Sequence, residues 1–422
     1  MTLRSLLSAA AAAWVLAVGT AFVLQDAGRE GRAGYKDFLT RIEKKPGSVT
    51  FYCQDLVWHF NYCKSIWKQR GERPYTEAYH LHFAESWLGE TPPGVWAFGY
   101  SPVLPFLARP FLGLEARTLY LAVLFANAAV LGIVLGAGTA SPFQTRFFLV
   151  AIASISSLYV IRYGQLTFLF MGALWAAWRL TDGLQSSGGR WQKWVLGALL
   201  FFLSVKPNYA LVFAAALLMA GAWRPVLLGT GAAAGACLFM SPYMGGGPQW
   251  LQDYGNLLSH YTPDRIPASM AWCVDPLMNT NLASPWIQAK ALPPVVLSRL
   301  SSGLWLLGLA AVTAAARTFW KKERPFCFQM NLLLFLLLSP HLMHYEDALL
   351  GLLFVSGTPE PRRRAQWALL FLAFIAVNFD QRDGLLAATA GGQWALPTFA
   401  KVGMLLLLLG ENRERLRKRH PG

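Results

Sequence analysis

Charge is scarce in this sequence. Only 14% of its 422 residues are charged, whereas 55% are hydrophobic, and the mean hydropathy is +0.37. A soluble domain is about one quarter charged, so the shortage excludes an ordinary soluble protein and points to a chain that lives in a bilayer. Acidic residues are scarcest: 22 Asp and Glu against 37 Lys and Arg, a formal net charge of +15. In a soluble chain that excess would suggest nucleic acid. Here no nucleic-acid module is present and the basic residues cluster between apolar runs, where they set membrane orientation. Cysteine is sparse too, and the five present form no C-x-x-C pair. On one helix Cys53 and Cys63 would stand roughly 15 Å apart, too far to bridge. Buried thiols are expected, with a disulfide among Cys53, Cys63 and Cys273 as the alternative.

What the sequence has instead is long apolar runs. Twelve are read as spans: 5–24, 118–138, 146–161, 165–180, 192–205, 208–222, 226–242, 301–316, 326–338, 345–355, 366–377 and 396–410. The expected fold is therefore an all-α polytopic membrane protein, one integral membrane domain with about 12 transmembrane helices. Several runs are shorter than a standard span and are expected as partial or tilted helices. The first is read as a retained helix rather than a cleaved signal peptide, because it is about twenty residues long and no clean small-residue cleavage site follows. Segment 100–114 is short, carries three prolines and is expected not to cross.

Basic clusters at Arg146, Arg179–Lys193, Arg224, Arg317–Arg324, Arg362–Arg364 and Arg413–Arg419 fall between alternate runs. The positive-inside bias puts them in the cytoplasm with both termini, in a plasma-membrane protein. The loops 26–99 and 243–300 then lie outside the cytoplasm, and residues 411–422 form a basic cytoplasmic tail. The remaining polar constellations share that outer side. In "YCQDLVWHFNYCKSIWKQRGERPY", a helix beginning near Gln54 would carry Leu56, Phe60, Cys63 and Trp67 on one apolar stripe. Asp55, His59 and Tyr62 would line a neighbouring face. This predicts an amphipathic helix on the membrane surface, with a carboxylate able to take a proton from a sugar hydroxyl. A helix N-terminal Asp favoured by the dipole is the plainer alternative.

"RYGQ" (Arg162 to Gln165) and "KPN" (Lys206 to Asn208) place cations where the orientation rule disfavours them. A lipid-carrier phosphate would supply the missing anion; snorkelling to headgroups is the alternative. "SPHLMHYED" sets His341, His344, Glu346 and Asp347 at the mouth of a span, with Glu346 read as a solvated loop residue. No metal site is expected, since a single cluster lacks metal-ligand geometry. Trp58, Tyr62, Trp250 and Trp272 are candidate sugar-stacking surfaces. A transporter or lipid flippase suits broken spans and intramembrane cations, although no internal repeat is visible. An envelope scaffold would leave the charged turns unexplained.

The order of "D-L-x-W" after the first run, "G-x-x-P-Y" (Gly71 to Tyr75), "Y-S-P", "G-Q", "K-P" and "S-P-H-x-x-H-Y-x-D" resembles glycosyltransferase family 87, from about Ser5 to Val355. The resemblance implies a GT-C-like bundle and inverting transfer of a hexose, typically mannose, from a polyprenyl-phosphate donor to a glycan or glycolipid acceptor, with no cofactor. It implies Asp55 as general base. On this reading His344 assists catalysis, Lys206 and Arg162 hold the donor phosphate, and His59, Tyr100, Gln165, His341 and Asp347 contact substrate. The sequence departs from the family in having Tyr100-Ser101-Pro102 where "Y-P-P" is common, and in separating His341 from His344.

Overall fold

The computed structural model describes residues 3–25, 54–88, 98–139, 141–184, 189–260, 294–339, 344–355, 357, 359, 361–379 and 395–419. Among these every regular element is helical. The first half comprises α1 (Leu3–Gln25), α2 (Gln54–Lys68), α3 (Glu77–Leu88), α4 (Val103–Ala108), α5 (Ala116–Gly138), α6 (Pro142–Ile152), α7 (Ile155–Tyr163) and α8 (Thr167–Leu184). There follow α9 (Arg190–Leu203), α10 (Pro207–Met219), α11 (Trp223–Met240), α12 (Gln249–His260), α13 (Pro294–Leu338), a 3-10 helix His344–Phe354, α14 (Arg364–Phe379) and α15 (Ala395–Arg419).

Among the described residues three helices, α1, α5 and α11, are long and apolar enough to cross a membrane, and α6 with α7 makes a fourth if that bent pair is one span. Several of the twelve anticipated runs are shaped by local backbone geometry. Run 146–161 divides because Ser154 is extended (φ −68°, ψ 159°), leaving α6 and α7 bent by 55°. Run 345–355 is a buried 3-10 helix. Helix α13 kinks at Glu323 (φ −126°, ψ 37°), just before Pro325, so runs 301–316 and 326–338 form two arms. In segment 100–114, α4 has six residues and a three-residue 3-10 turn follows. Six helical residues rise about 9 Å, far short of a roughly 30 Å hydrocarbon layer.

Phe125, Ile133, Leu227, Leu238 and Leu307 are all more than half exposed. Water would penalise such a surface; lipid does not. This is a membrane protein.

Helix α2 is not amphipathic in the way its pattern suggests. Val57, Trp58, Tyr62, Cys63 and Ile66 are all buried, because α3 and the segment around Phe98 cover the side expected to face water. Tyr62 stacks on Phe98 (4.7 Å, 12°) and on His80 (5.1 Å, 29°), and its hydroxyl donates to the Pro74 carbonyl. Trp58 and Tyr62 are 0% exposed and so are no sugar platforms; Trp272 lies outside the described residues. Cys63 is a free buried thiol, while Cys53 and Cys273 also lie outside the described residues.

Candidate active site

The site is organised by the "RYGQ" turn. Helix α7 stops where Gly164 adopts φ +72°. The Gly164 N–H donates to Ile161 O at 3.3 Å and the Gln165 N–H to Val160 O at 2.9 Å, closing the helix C-terminus. Gly164 also allows close approach, since a Cβ there would lie 2.8 Å from Leu56 Cβ. Helix α2 therefore packs directly on the turn, and Asp55 in its first turn meets Gln165. Gln165 Nε2 donates to Asp55 Oδ2. Its Oε1 accepts from the Tyr100 hydroxyl at 3.3 Å, and Asn127 Nδ2 on α5 donates to its backbone carbonyl at 3.3 Å. An ionised carboxylate only accepts, so the amide must turn its NH2 towards Asp55 and its oxygen towards the phenol. Burial pushes the Tyr100 hydroxyl up to about 12, which keeps it a donor at neutral pH.

A second turn supplies the cation. The Ser101 N–H donates to Val205 O at 3.1 Å, tying "YSP" to "VKP". Lys206 caps α10 in an extended conformation (φ −116°, ψ 105°), as a residue before proline prefers. Its Nζ donates to Glu346 Oε1 at 2.9 Å. The ammonium also stands 5.2 Å from the Tyr345 ring centroid, 5.4 Å from Tyr100 and 5.9 Å from Tyr209. Asp55 is close enough for its charge to act on Lys206. One ammonium thus serves two carboxylates inside a box of three tyrosines. Glu346 is 1% exposed, so it is no solvated loop residue. It faces inward because its 3-10 helix packs against α6, α7 and α8.

His59 lies one helical turn beyond Asp55, edge-on to Tyr100 at 4.7 Å and to Phe98 at 5.7 Å. Burial, then the charge of Lys206, then His80 push its imidazole down to about 3. At neutral pH His59 is therefore uncharged.

The structure thus brings Asp55, His59, Tyr100, Gln165 and Lys206 together. Arg162 sits in the last turn of α7, with its guanidinium 5.3 Å over the Phe22 ring of α1. Asp347 is buried and binds Lys401 Nζ of α15 at 2.8 Å; that Nζ also donates to Leu336 O at 3.1 Å. His344 opens the 3-10 helix, but its side chain and all of His341 lie outside the described residues. Sequence reasoning gave Glu346 no role beyond a solvated loop residue and missed Tyr209, Tyr345 and Lys401. Only Lys401 had a legible signal, an ionisable residue within an apolar run.

Residues 98–340, more than half of the chain, match the model of glycosyltransferase family 87. The chain belongs to this family. No curated protein and no solved structure matches it. Membership makes the protein a membrane glycosyltransferase that joins a sugar donor to an acceptor, and the transporter and scaffold readings fall away. The family 87 match includes Tyr100, Arg162, Gln165 and Lys206; Asp55, His59 and Glu346 lie beyond its ends.

Proposed function

We propose that this family 87 enzyme moves a hexose, typically mannose, from a polyprenyl-phosphate donor to a glycan or glycolipid acceptor at the extracytoplasmic face of the plasma membrane, with inversion and with both termini cytoplasmic. Asp55 removes the acceptor hydroxyl proton as that oxygen attacks the anomeric carbon. The bond to the phosphate oxygen breaks and the polyprenyl phosphate leaves. That leaving group needs no general acid, but its growing charge needs fixed cations, supplied by Lys206 and Arg162. Gln165 and Tyr100 hold Asp55 in its acting geometry, a positioning task rather than a substrate contact. His59, being neutral, hydrogen-bonds the acceptor, and His344 orients it from the adjoining 3-10 helix.

The observation that supports this reading best is the linkage of Asp55 through Gln165 and Tyr100 to the Lys206 ammonium. It supports the reading of Asp55 as a base acting beside a cation for the phosphate.

The test is transfer of radiolabelled hexose from a panel of polyprenyl-phosphate sugars by purified wild-type and Asp55→Asn protein. The expected result is transfer by wild type and a loss of several orders of magnitude in the variant, with unchanged expression and elution. Full activity in Asp55→Asn would remove Asp55 as the base. Transfer from a nucleotide sugar and from no lipid-linked donor would remove the donor class.

A further inference from the structure

The basic residues that close the opening polar segment have no place in the chemistry above. Lys64, Lys68 and Arg70 lie along and just beyond the C-terminal half of α2, while Asp55 stands in its first turn. At 1.5 Å per residue, Lys64 is about 14 Å and Lys68 about 20 Å along the helix from Asp55. They are too distant to neutralise a phosphate reacting there. Arg109 joins them across the helix packing, its guanidinium 4.5 Å over the Trp67 ring.

Their depth is set by α11. That candidate span ends at Tyr243, and Arg70 Nη2 donates to the Tyr243 hydroxyl at 3.0 Å while stacking 5.0 Å over its ring. Trp67 contacts Tyr243 at 4.7 Å and Phe239 at 6.1 Å. Leu238, Phe239 and Phe111 are 74%, 48% and 50% exposed, so a hydrocarbon-facing surface begins directly beside the cations. Aromatics and cations at the end of a span mark the headgroup layer. Lys68, Arg70 and Arg109 are exposed, and burial together with neighbouring Lys68 holds the Lys64 ammonium below its usual range. Among the described residues none of the four forms an ion pair with a carboxylate. Arg73, three residues on, has taken Asp253 in a two-pronged pair at 2.6 and 2.9 Å.

We infer that Lys64, Lys68, Arg70 and Arg109 form a docking surface for the anionic phospholipid headgroups of the surrounding bilayer, at the Asp55 end of the bundle. A phosphodiester at this rim receives charge-assisted hydrogen bonds from the Lys and Arg donors, while its acyl chains lie along the exposed residues of α11. The cations adjoin a hydrocarbon-facing strip, so a phospholipid meets both with one molecule, which favours a lipid over a soluble acidic partner. The site stands on geometry alone; only its assignment to the outer leaflet rests on the orientation proposed above. Its consequence is mechanical, in that bound headgroups fix the depth of α2 and so the height of Asp55 above the hydrocarbon.

The test places the purified full chain in phosphatidylcholine nanodiscs doped with a photoactivatable phosphatidylglycerol and maps the crosslinked peptides by mass spectrometry. Crosslinks are expected on peptides covering residues 64–70 and 109–117, competed by unlabelled phosphatidylglycerol but not by phosphatidylcholine. Yield there should fall about five-fold for each cation removed in the series Lys68→Gln, Arg70→Gln and Arg109→Gln. Lys68→Arg, which keeps the charge, should retain it. Crosslinks absent from both peptides, or undiminished in the triple variant, would overturn the inference. So would capture of a soluble polyanion with no lipid crosslink. Because the readout is independent of sugar transfer, a failed donor assay leaves it standing.

Discussion

Gly164→Ala tests the packing that brings α2 to the "RYGQ" turn. Two costs add. Alanine in the left-handed conformation that Gly164 holds (φ +72°) is disfavoured by about 1–2 kcal/mol. The new methyl would also lie 2.8 Å from Leu56 Cβ and 3.2 Å from its Cδ2, an overpacking worth about 1–3 kcal/mol. The sum, roughly 2–5 kcal/mol, is a serious fraction of a typical folding free energy of about 5–15 kcal/mol, yet it leaves most molecules folded. The clash can be relieved only if α2 retreats by about 0.6 Å or more, carrying Asp55 away from Gln165. Misplacement on the order of 1 Å costs a catalytic group about 100-fold. The purified variant should therefore bind membranes normally while kcat for hexose transfer falls by about 10- to 100-fold. The suppressor pattern is diagnostic because the closest contact is the Leu56 Cβ itself. Leu56→Ala keeps that atom and should not restore the rate, whereas Leu56→Gly removes it and should recover part. Wild-type kcat in Gly164→Ala, or equal rescue by both second-site changes, would refute the argument.

Two further outcomes follow from buried groups. His80 accepts the Phe98 N–H on Nε2 at 2.8 Å and bonds Thr76 O through Nδ1 at 2.7 Å, and burial pushes it down to about 4. With an unfolded value of 6.5, its stabilisation is complete above that pH and is lost as pH falls towards 4. The loss is about 2–3 kcal/mol by pH 4.5, and hydrogen exchange in α3 should rise accordingly; equal protection at pH 7 and 4.5 would count against it. Neutral His59 acts in the same direction. Lys401→Met strands Asp347 in the bundle and should cost about 3–5 kcal/mol in thermal unfolding, while Lys401→Met/Asp347→Leu should recover most of it. A double variant no better than the single one would mean the pair does not act as a unit.

The helical class was legible because apolar runs and scarce charge leave a bilayer chain few other ways to satisfy its backbone. So was the start of α2, since Gln54 and Asp55 open an apolar-periodic run. The lengths of the spans were not. An extended Ser154 and the 3-10 geometry of 344–354 are local backbone choices that hydropathy does not encode. Local pattern also did not show that α2 is covered on its polar side, because the covering segment around His80 and Phe98 lies further along the chain. Partner assignment failed for the same reason. Nothing near Glu346 in sequence announces Lys206, 140 positions earlier, and nothing near Asp347 announces Lys401.

Those pairings bear on how a donor could be accommodated. Asp55, Lys206 and Glu346 together carry one net negative charge when all are ionised, and a sugar-linked phosphodiester would bring a second. Lys206 cannot neutralise both while it remains committed to Glu346, since hydrogen bonds and field are shared between the two anions. Donor binding on the proposed mechanism therefore requires a further cation. Arg162, three residues before Gln165 in the last turn of α7, is the cation proposed for that role. On that proposal the "RYGQ" turn would couple donor charge to base geometry, since it carries both Arg162 and the residue that bonds Asp55.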